Sequence, residues 1–120
     1  TFAIDGRAQL PVRVRTVPRP IDDPGYRVDQ ESAARGARLF GGHCVQCHGI
    51  DAVSGGAAPD LRASGVTLSA QTFRRIVLEG ALLPAGMPRF EKLGESDVED
   101  IRQYIRARAA DWRAALSRDR

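Results

Sequence analysis

The chain has 120 residues, with 18 basic and 15 acidic side chains and a formal net charge of +3. That length predicts one domain with room for an extension, and a charge so small and so interspersed gives no argument for nucleic acid. No apolar run approaches the roughly 20 residues of a membrane span, and no basic start followed by an apolar stretch marks a secretory signal peptide; the sequence opens abruptly at Thr1, as a processed product or an excised piece would.

Residues 1–28 form a first region of their own, an extended N-terminal segment or linker. They hold four of the seven prolines, Pro11, Pro18, Pro20 and Pro24. "FAIDGRAQL" suits a short hairpin, because Asp5-Gly6 favours a tight turn. "PVRVRTVPRP" alternates Val with Arg and then breaks into prolines, the pattern of an extended segment passing over a surface. Residues 29–120 make the second region. Asp29 or Ser32 caps a helix over about 30–41, with Ala33, Ala37 and Phe40 on one face beside Gly36, and Gly41-Gly42 ends it. Residues 49–68 read as loop, rich in Gly, Ser and Ala, and a loop of that length is uncommon unless it wraps something. A second helix fits "SAQTFRRIVLEG", capped by Ser69, stopped by Gly80, and apolar at Phe73, Ile76 and Val77. "ALLPAGMPRF" is broken by Pro84, Gly86 and Pro88. The last helix opens on Ser96-x-x-Glu99, a capping-box pattern, and carries an apolar stripe of Val98, Ile101, Ile105, Ala109, Trp112 and Leu116, with Tyr104 beside it. The expected fold is all-α, three main helices with long loops.

Both cysteines and both histidines fall within "HCVQCH", residues 43–48. C-x-x-C-H is the signature of covalent c-type haem attachment. Two cysteines three apart share one turn and reach the two vinyl groups on one edge of a porphyrin, and the histidine that follows is held beneath the iron. Three rivals remain. A thioredoxin-like redox pair expects a strand before the motif. A zinc site would crowd His43, Cys44, Cys47 and His48 into six residues, where zinc sites space their ligand pairs apart. A disulfide between Cys44 and Cys47 would close a tiny loop for little entropic gain. The thin aromatic inventory of four Phe, two Tyr and one Trp suits a small core completed by a cofactor.

A haem that only carries electrons has its second axial position filled, commonly by Met. The single methionine, Met87, lies 39 residues beyond His48 between Gly86 and Pro88. A methionine filling a core belongs on an apolar face, so this setting points to ligation. His43, next to the attachment point, would struggle to reach the opposite face and reads as structural or solvent-facing. Seventeen of the 18 basic residues are Arg, which fits either carboxylate clamping or a general compositional bias.

"GARLFGGHCVQCHG", "APDLR" and "GMPRF" together resemble a class I cytochrome c domain over about residues 29–110. The resemblance implies one haem c bound through Cys44 and Cys47, His48 and Met87 as metal ligands, and Gly36 and Phe40 packed against Tyr104. It also implies that the Pro59 carbonyl accepts a hydrogen bond from His48, and it leaves Arg62, with Arg89 less favoured, as a partner for a haem propionate. Over nearly the whole chain, "FAIDGRAQLP", "GGAAPDLR", "GALLPAGMPRF" and "VEDIRQYIRARA" look like the C-terminal part of quinohaemoprotein (PQQ-dependent) alcohol dehydrogenases. That likeness implies an electron-transfer domain, not an enzyme on its own, in the periplasm. It would take single electrons from PQQ in a propeller domain and pass them to a blue-copper protein or a cytochrome, and its own residues would hold neither a PQQ nor a calcium site. A free-standing periplasmic shuttle is the alternative, and a haem sensor or peroxidase-like enzyme a third reading, disfavoured by the placement of Met87.

Overall fold

The computed structural model describes residues 17–119; the hairpin expected over residues 2–10 lies outside them. Among the described residues there is no strand, as the all-α reading expects. Four helices run in chain order: α1 (Gln30–His43), a one-turn α2 (Val45–His48), α3 (Ala70–Glu79) and α4 (Glu95–Arg118), with short 3-10 turns at Ile50–Ala52, Leu61–Ala63, Gly65–Leu68 and Leu83–Ala85.

The helix ends follow side-chain chemistry, with two departures from expectation. Asp29 caps α1, its carboxylate accepting the Ser32 N–H at 3.1 Å. Ser69 caps α3, and Gly80 closes it in the left-handed conformation. Gly41-Gly42 does not end α1: the ladder runs on to the Cys44 N–H, which donates to the Phe40 carbonyl at 2.8 Å. Glycine only weakens a helix, by about 1 kcal/mol relative to Ala, and the Phe40 directly before the pair is buried in the core. The capping box at Ser96 is also displaced. Gly94 is the N-cap of α4, and the Asp97 carboxylate accepts its N–H at 2.9 Å. Glu99 instead accepts from Arg102 and Gln103.

The core joins Phe40, Ala52, Phe73, Val77, Val98, Ile101 and Ile105. Its frame is the crossing of α1 and α4 at Gly36. A Cβ there would fall 1.9 Å from the Asp100 carbonyl oxygen, so the close approach admits only glycine. One turn on, the Phe40 and Tyr104 rings meet at 5.3 Å and 55°, the pairing the resemblance implied. A polar network locks the same crossing: Ser32 Oγ donates to Asp100 Oδ1 at 2.6 Å, and Arg35 Nε donates to Asp100 Oδ2 at 2.9 Å. Buried Arg102 ties the loop to α4, its Nε donating to the Thr67 carbonyl at 2.8 Å.

Residues 17–28 contain neither helix nor strand, yet they are fastened along α4 as a strap. Ile21 is buried. Its N–H donates to the Arg62 carbonyl at 2.9 Å, and its carbonyl accepts from Arg113 Nη1. Asp23 holds Arg106 through a two-bond fork at 2.7 and 3.0 Å, the Arg106 guanidinium lies 4.1 Å over the Tyr26 ring, and the Tyr26 hydroxyl donates to the Gln103 carbonyl.

Candidate functional site

Of the "CVQCH" residues, Val45 to His48 lie on helix and Cys44 is the cap that joins α1 to α2. α1 delivers the chain to Cys44, and α2 makes one further turn through His48, whose N–H donates to the Cys44 carbonyl at 3.0 Å. A single turn thus carries Cys44, Cys47 and His48. Neither cysteine is in a disulfide. Cys44 is half-buried and packs against the core, while Cys47 is exposed. Burial pushes the Cys44 thiol up to about 11, with the neighbouring Cys47 adding to it, so this thiol is protonated near neutral pH. Among the described residues, no three His, Cys, Asp or Glu side chains converge to hold a metal ion, so the four clustered residues do not form the tetrahedral set a zinc site needs.

His48 is buried, and its Nδ1 has no hydrogen-bond partner. It is the single such buried side-chain atom among the described residues. Burial lowers the His48 pKa; the Pro59 carbonyl, an acceptor near the ring, pulls the other way but does not reach hydrogen-bond geometry at Nδ1. Such an orphan is costly in a finished structure, and it marks the histidine as a side chain with something still to bind or to donate to.

After His48 the chain turns sharply. Gly49 has φ +85° and Asp51 and Ala52 are also left-handed, at φ 56° and 61°. A Cβ on Gly49 would meet the Val53 carbonyl oxygen at 1.9 Å. Ala52 is fully buried in the core, and Arg108 Nε donates to the Asp51 carbonyl at 3.2 Å, pinning the turn to α4. Backbone strain of this kind persists where surrounding contacts over-determine it, and it clusters at functional sites. Asp is a type that tolerates this conformation, but nothing in the residue type of Ala52 signals it in the sequence.

Met87 lies on the loop between α3 and α4, half-buried against the same core cluster as Cys44. That loop is braced internally, the Met87 N–H donating to the Leu82 carbonyl at 3.1 Å, and tied to α3, the Phe90 N–H donating to the Val77 carbonyl at 2.8 Å. Large apolar side chains stay exposed on the loops flanking the motif and leading to Met87, among them Ile50, Val53, Leu82 and Leu83. His43 is exposed, its ring 6.1 Å edge-on from Phe90.

Arg62, the candidate propionate partner, is held through two of its five N–H donors and one face. Its Nε and Nη2 donate to the two carboxylate oxygens of Asp60 at 3.0 and 2.7 Å, and its guanidinium lies 4.2 Å from the centre of the Trp112 ring. Burial is the largest influence on Asp60 and would raise its pKa; the Arg62 hydrogen bonds and charge, with backbone N–H groups of Arg62 and Ser54, overcome it and hold the carboxyl below its usual value. Arg89 pairs with Glu91 at the surface. Trp112 appears in the sequence only as part of the α4 stripe, and the structure uses it as the face on which Arg62 rests.

The donor set fits the group the motif implies: two thiols on one turn, a buried imidazole with an unsatisfied nitrogen, and a thioether against the same core. Residues 31–105 match the family model of cytochrome c oxidase, cbb3-type, subunit III. The chain is 40% identical to quinohemoprotein alcohol dehydrogenase ADH IIB of Pseudomonas putida, over 89% of this chain and 16% of that protein. It is 36% identical to the dehydrogenase subunit of the alcohol dehydrogenase (quinone) of Gluconobacter oxydans, over 90% of this chain and 14% of that one. A solved structure of quinohemoprotein alcohol dehydrogenase ADHIIG from Pseudomonas putida HK5 superposes with a TM-score of 0.73 at 38% identity, covering 91% of this chain and 15% of the other. The chain therefore spans about one sixth of the length of the relatives it matches.

Proposed function

The chain belongs to the cytochrome c family, with the class I fold and a likeness to the haem domains of quinohaemoprotein alcohol dehydrogenases, and from that premise we propose that it binds one haem c and relays single electrons from reduced PQQ in a dehydrogenase to an external redox protein. Cys44 and Cys47 hold the haem through thioethers, and His48 and Met87 ligate its iron. The observation that carries this reading is the single turn that presents both thiols together with the buried His48.

A bound haem supplies reversible one-electron chemistry at its iron. The protein contributes ligation, burial and placement. α2 fixes the spacing of Cys44, Cys47 and His48. The strained turn at residues 49–52 keeps His48 beneath the core. The Pro59 carbonyl, an acceptor near the ring but without a hydrogen bond to Nδ1 in this structure, would orient the imidazole by accepting from Nδ1–H in the haem-loaded protein, and the tethered loop at 80–90 would present the Met87 sulfur. With His48 and Met87 both holding the iron, no position would be left for a substrate, and this domain would act as a relay. Residues 1–28 serve as the linker to the PQQ domain and residues 29–120 as the haem domain. The whole assembly works in the periplasm, and a small blue-copper protein or a cytochrome is the acceptor.

A free-standing electron shuttle is the second reading, and the strap favours it, because Ile21 buries itself and Asp23 locks onto Arg106 as an integral N-terminus would. Against it, likeness to the dehydrogenases extends over about nine-tenths of this chain and so includes the strap. Denaturing extraction of the purified protein tests the attachment. Haem that stays with the chain, and is released when Cys44 and Cys47 are both changed to Ala, is the expected result. Haem that extracts freely from the wild type, or a colourless protein that binds zinc, contradicts it.

A further inference from the structure

Resting on the reading of His48 as an iron ligand, we propose that Arg108 is a positioning residue that fixes His48 by clamping the backbone of the turn behind it. Asp51 and Ala52 are the two non-glycine residues with positive φ among the described residues, Asp51 at φ 56° and ψ 25° and Ala52 at φ 61°. A Cβ disfavours that conformation, so surrounding contacts must hold it. Ala52 is held by full burial in the core. Asp51 is exposed and has no such hold; its carbonyl instead accepts from Arg108 Nε at 3.2 Å. The Arg108 side chain is itself steadied, its Nη1 donating to Asp111 Oδ2 at 3.3 Å. The turn bears directly on the residue after His48. The Ala52 N–H donates to the Gly49 carbonyl at 3.2 Å, and the Val53 carbonyl oxygen sits so close over Gly49 that a Cβ there would fall 1.9 Å from it. The other end of the motif is held from the same face of α4. Tyr104, one turn before Arg108, packs on Phe40, whose carbonyl accepts the Cys44 N–H. α4 thus brackets the turn that carries Cys44, Cys47 and His48, through a ring pair before it and through Arg108 after it.

A clamp that acts through backbone conformation becomes dispensable with glycine at position 51, because glycine takes a positive φ without help. The test compares Arg108→Leu, Arg108→Leu/Asp51→Gly and Arg108→Leu/Asp51→Ala in the haem-loaded Met87→Ala protein, whose iron keeps His48 as its protein ligand. The two double variants change charge identically and differ in whether residue 51 accepts the left-handed conformation. Resonance Raman of the ferrous protein reads the iron–imidazole stretch. Amide hydrogen exchange reads the Val53 N–H, which donates to the Ile50 carbonyl at 3.0 Å within the turn. Arg108→Leu is expected to lower and broaden the stretch and to speed Val53 exchange about fivefold. Adding Asp51→Gly should restore both, and adding Asp51→Ala should restore neither. An unmoved stretch in Arg108→Leu overturns the clamp. So does recovery with both additions, which would assign the effect to charge, or with neither. If Arg108→Leu fails to take up haem, loading restored by Asp51→Gly alone upholds the clamp, and any other pattern overturns it. A Met87→Ala protein with no iron–imidazole stretch ends the functional reading and the clamp together, whereas a stretch that is present and unmoved ends the clamp only.

Discussion

Gly36 and Gly41 are five residues apart on one helix and carry opposite expectations. At Gly36 a methyl group would enter the Asp100 backbone, so Gly36→Ala should lower the unfolding free energy by about 3 kcal/mol or more, read from urea titration. At Gly41 a Cβ meets nothing within 4 Å, and Gly41→Ala should be neutral or stabilise by about 0.5 kcal/mol. Equal losses at both positions would mean that the α1–α4 approach is not what selects glycine at 36. Gly49 is a second sensitive position, with a positive φ and a 1.9 Å conflict with the Val53 carbonyl. Gly49→Ala should disturb the turn behind His48, and a loss of haem loading out of proportion to the loss of helix would show it. At this scale the sequence is informative where chemistry is carried by residue type. Cys44, Cys47, His48 and Met87 stand out by identity and spacing, and Gly36 by its place one turn before Phe40. Asp51 and Ala52 do not stand out, because their left-handed conformation is imposed by Ala52 entering the core and Arg108 holding Asp51, both contacts made across the fold.

Among the elements, α3 is the most legible in sequence. Ser69, Gly80 and the Phe73, Ile76 and Val77 face all lie where the pattern puts them. The start of α4 is ambiguous, because Ser96-x-x-Glu99 satisfies the same spacing as the Gly94–Asp97 contact that forms. The apolar stripe of α4 also outruns its packing: Val98, Ile101, Ile105 and Ala109 are buried, but Leu116 is 45% exposed. The strap is the element least visible in sequence, since an extended segment has no periodicity and its contacts with α4 span about 80 residues. Its principal tie is the Asp23–Arg106 fork, which donates into the Asp23 carboxylate and holds it below its ordinary value of 3.8 despite the opposing effect of burial. A carboxyl with a depressed folded pKa contributes stability that is present above the unfolded value and is lost as pH falls through the folded one. Thermal midpoints should therefore fall as pH drops below about 4, and Asp23→Asn should flatten that fall while costing about 1.5–3 kcal/mol at neutral pH. Asp60 and Asp100 are lowered in the same direction, so some slope should remain in the variant. An unchanged slope in Asp23→Asn would show that the strap's tie has no part in acid sensitivity.

At the scale of the whole molecule, a small core and a row of exposed apolar loop residues point to a chain whose stability includes its cofactor. No described helix is long and apolar enough to cross a membrane. A Cys44→Ala/Cys47→Ala protein lacking haem should lose at least about 3 kcal/mol, a fall of about 12 °C or more in Tm for a domain of this size; equal midpoints with and without haem would show that the protein core is sufficient alone. The fold class is legible because a few helices with clear apolar faces dominate it, and the attachment half of the site because it is contiguous. Met87, the proposed second ligand, and the Asp60–Arg62–Trp112 contacts come from distant parts of the chain, and rarity marks only Met87 and Trp112, each the single residue of its type. The most direct measurement of the central claim is the near-infrared spectrum of the oxidised, haem-loaded protein beside that of Met87→Ala. A weak methionine-to-iron band in the wild type that disappears in the variant is the predicted result. A band that survives in Met87→Ala, or is absent from the wild type, would contradict it.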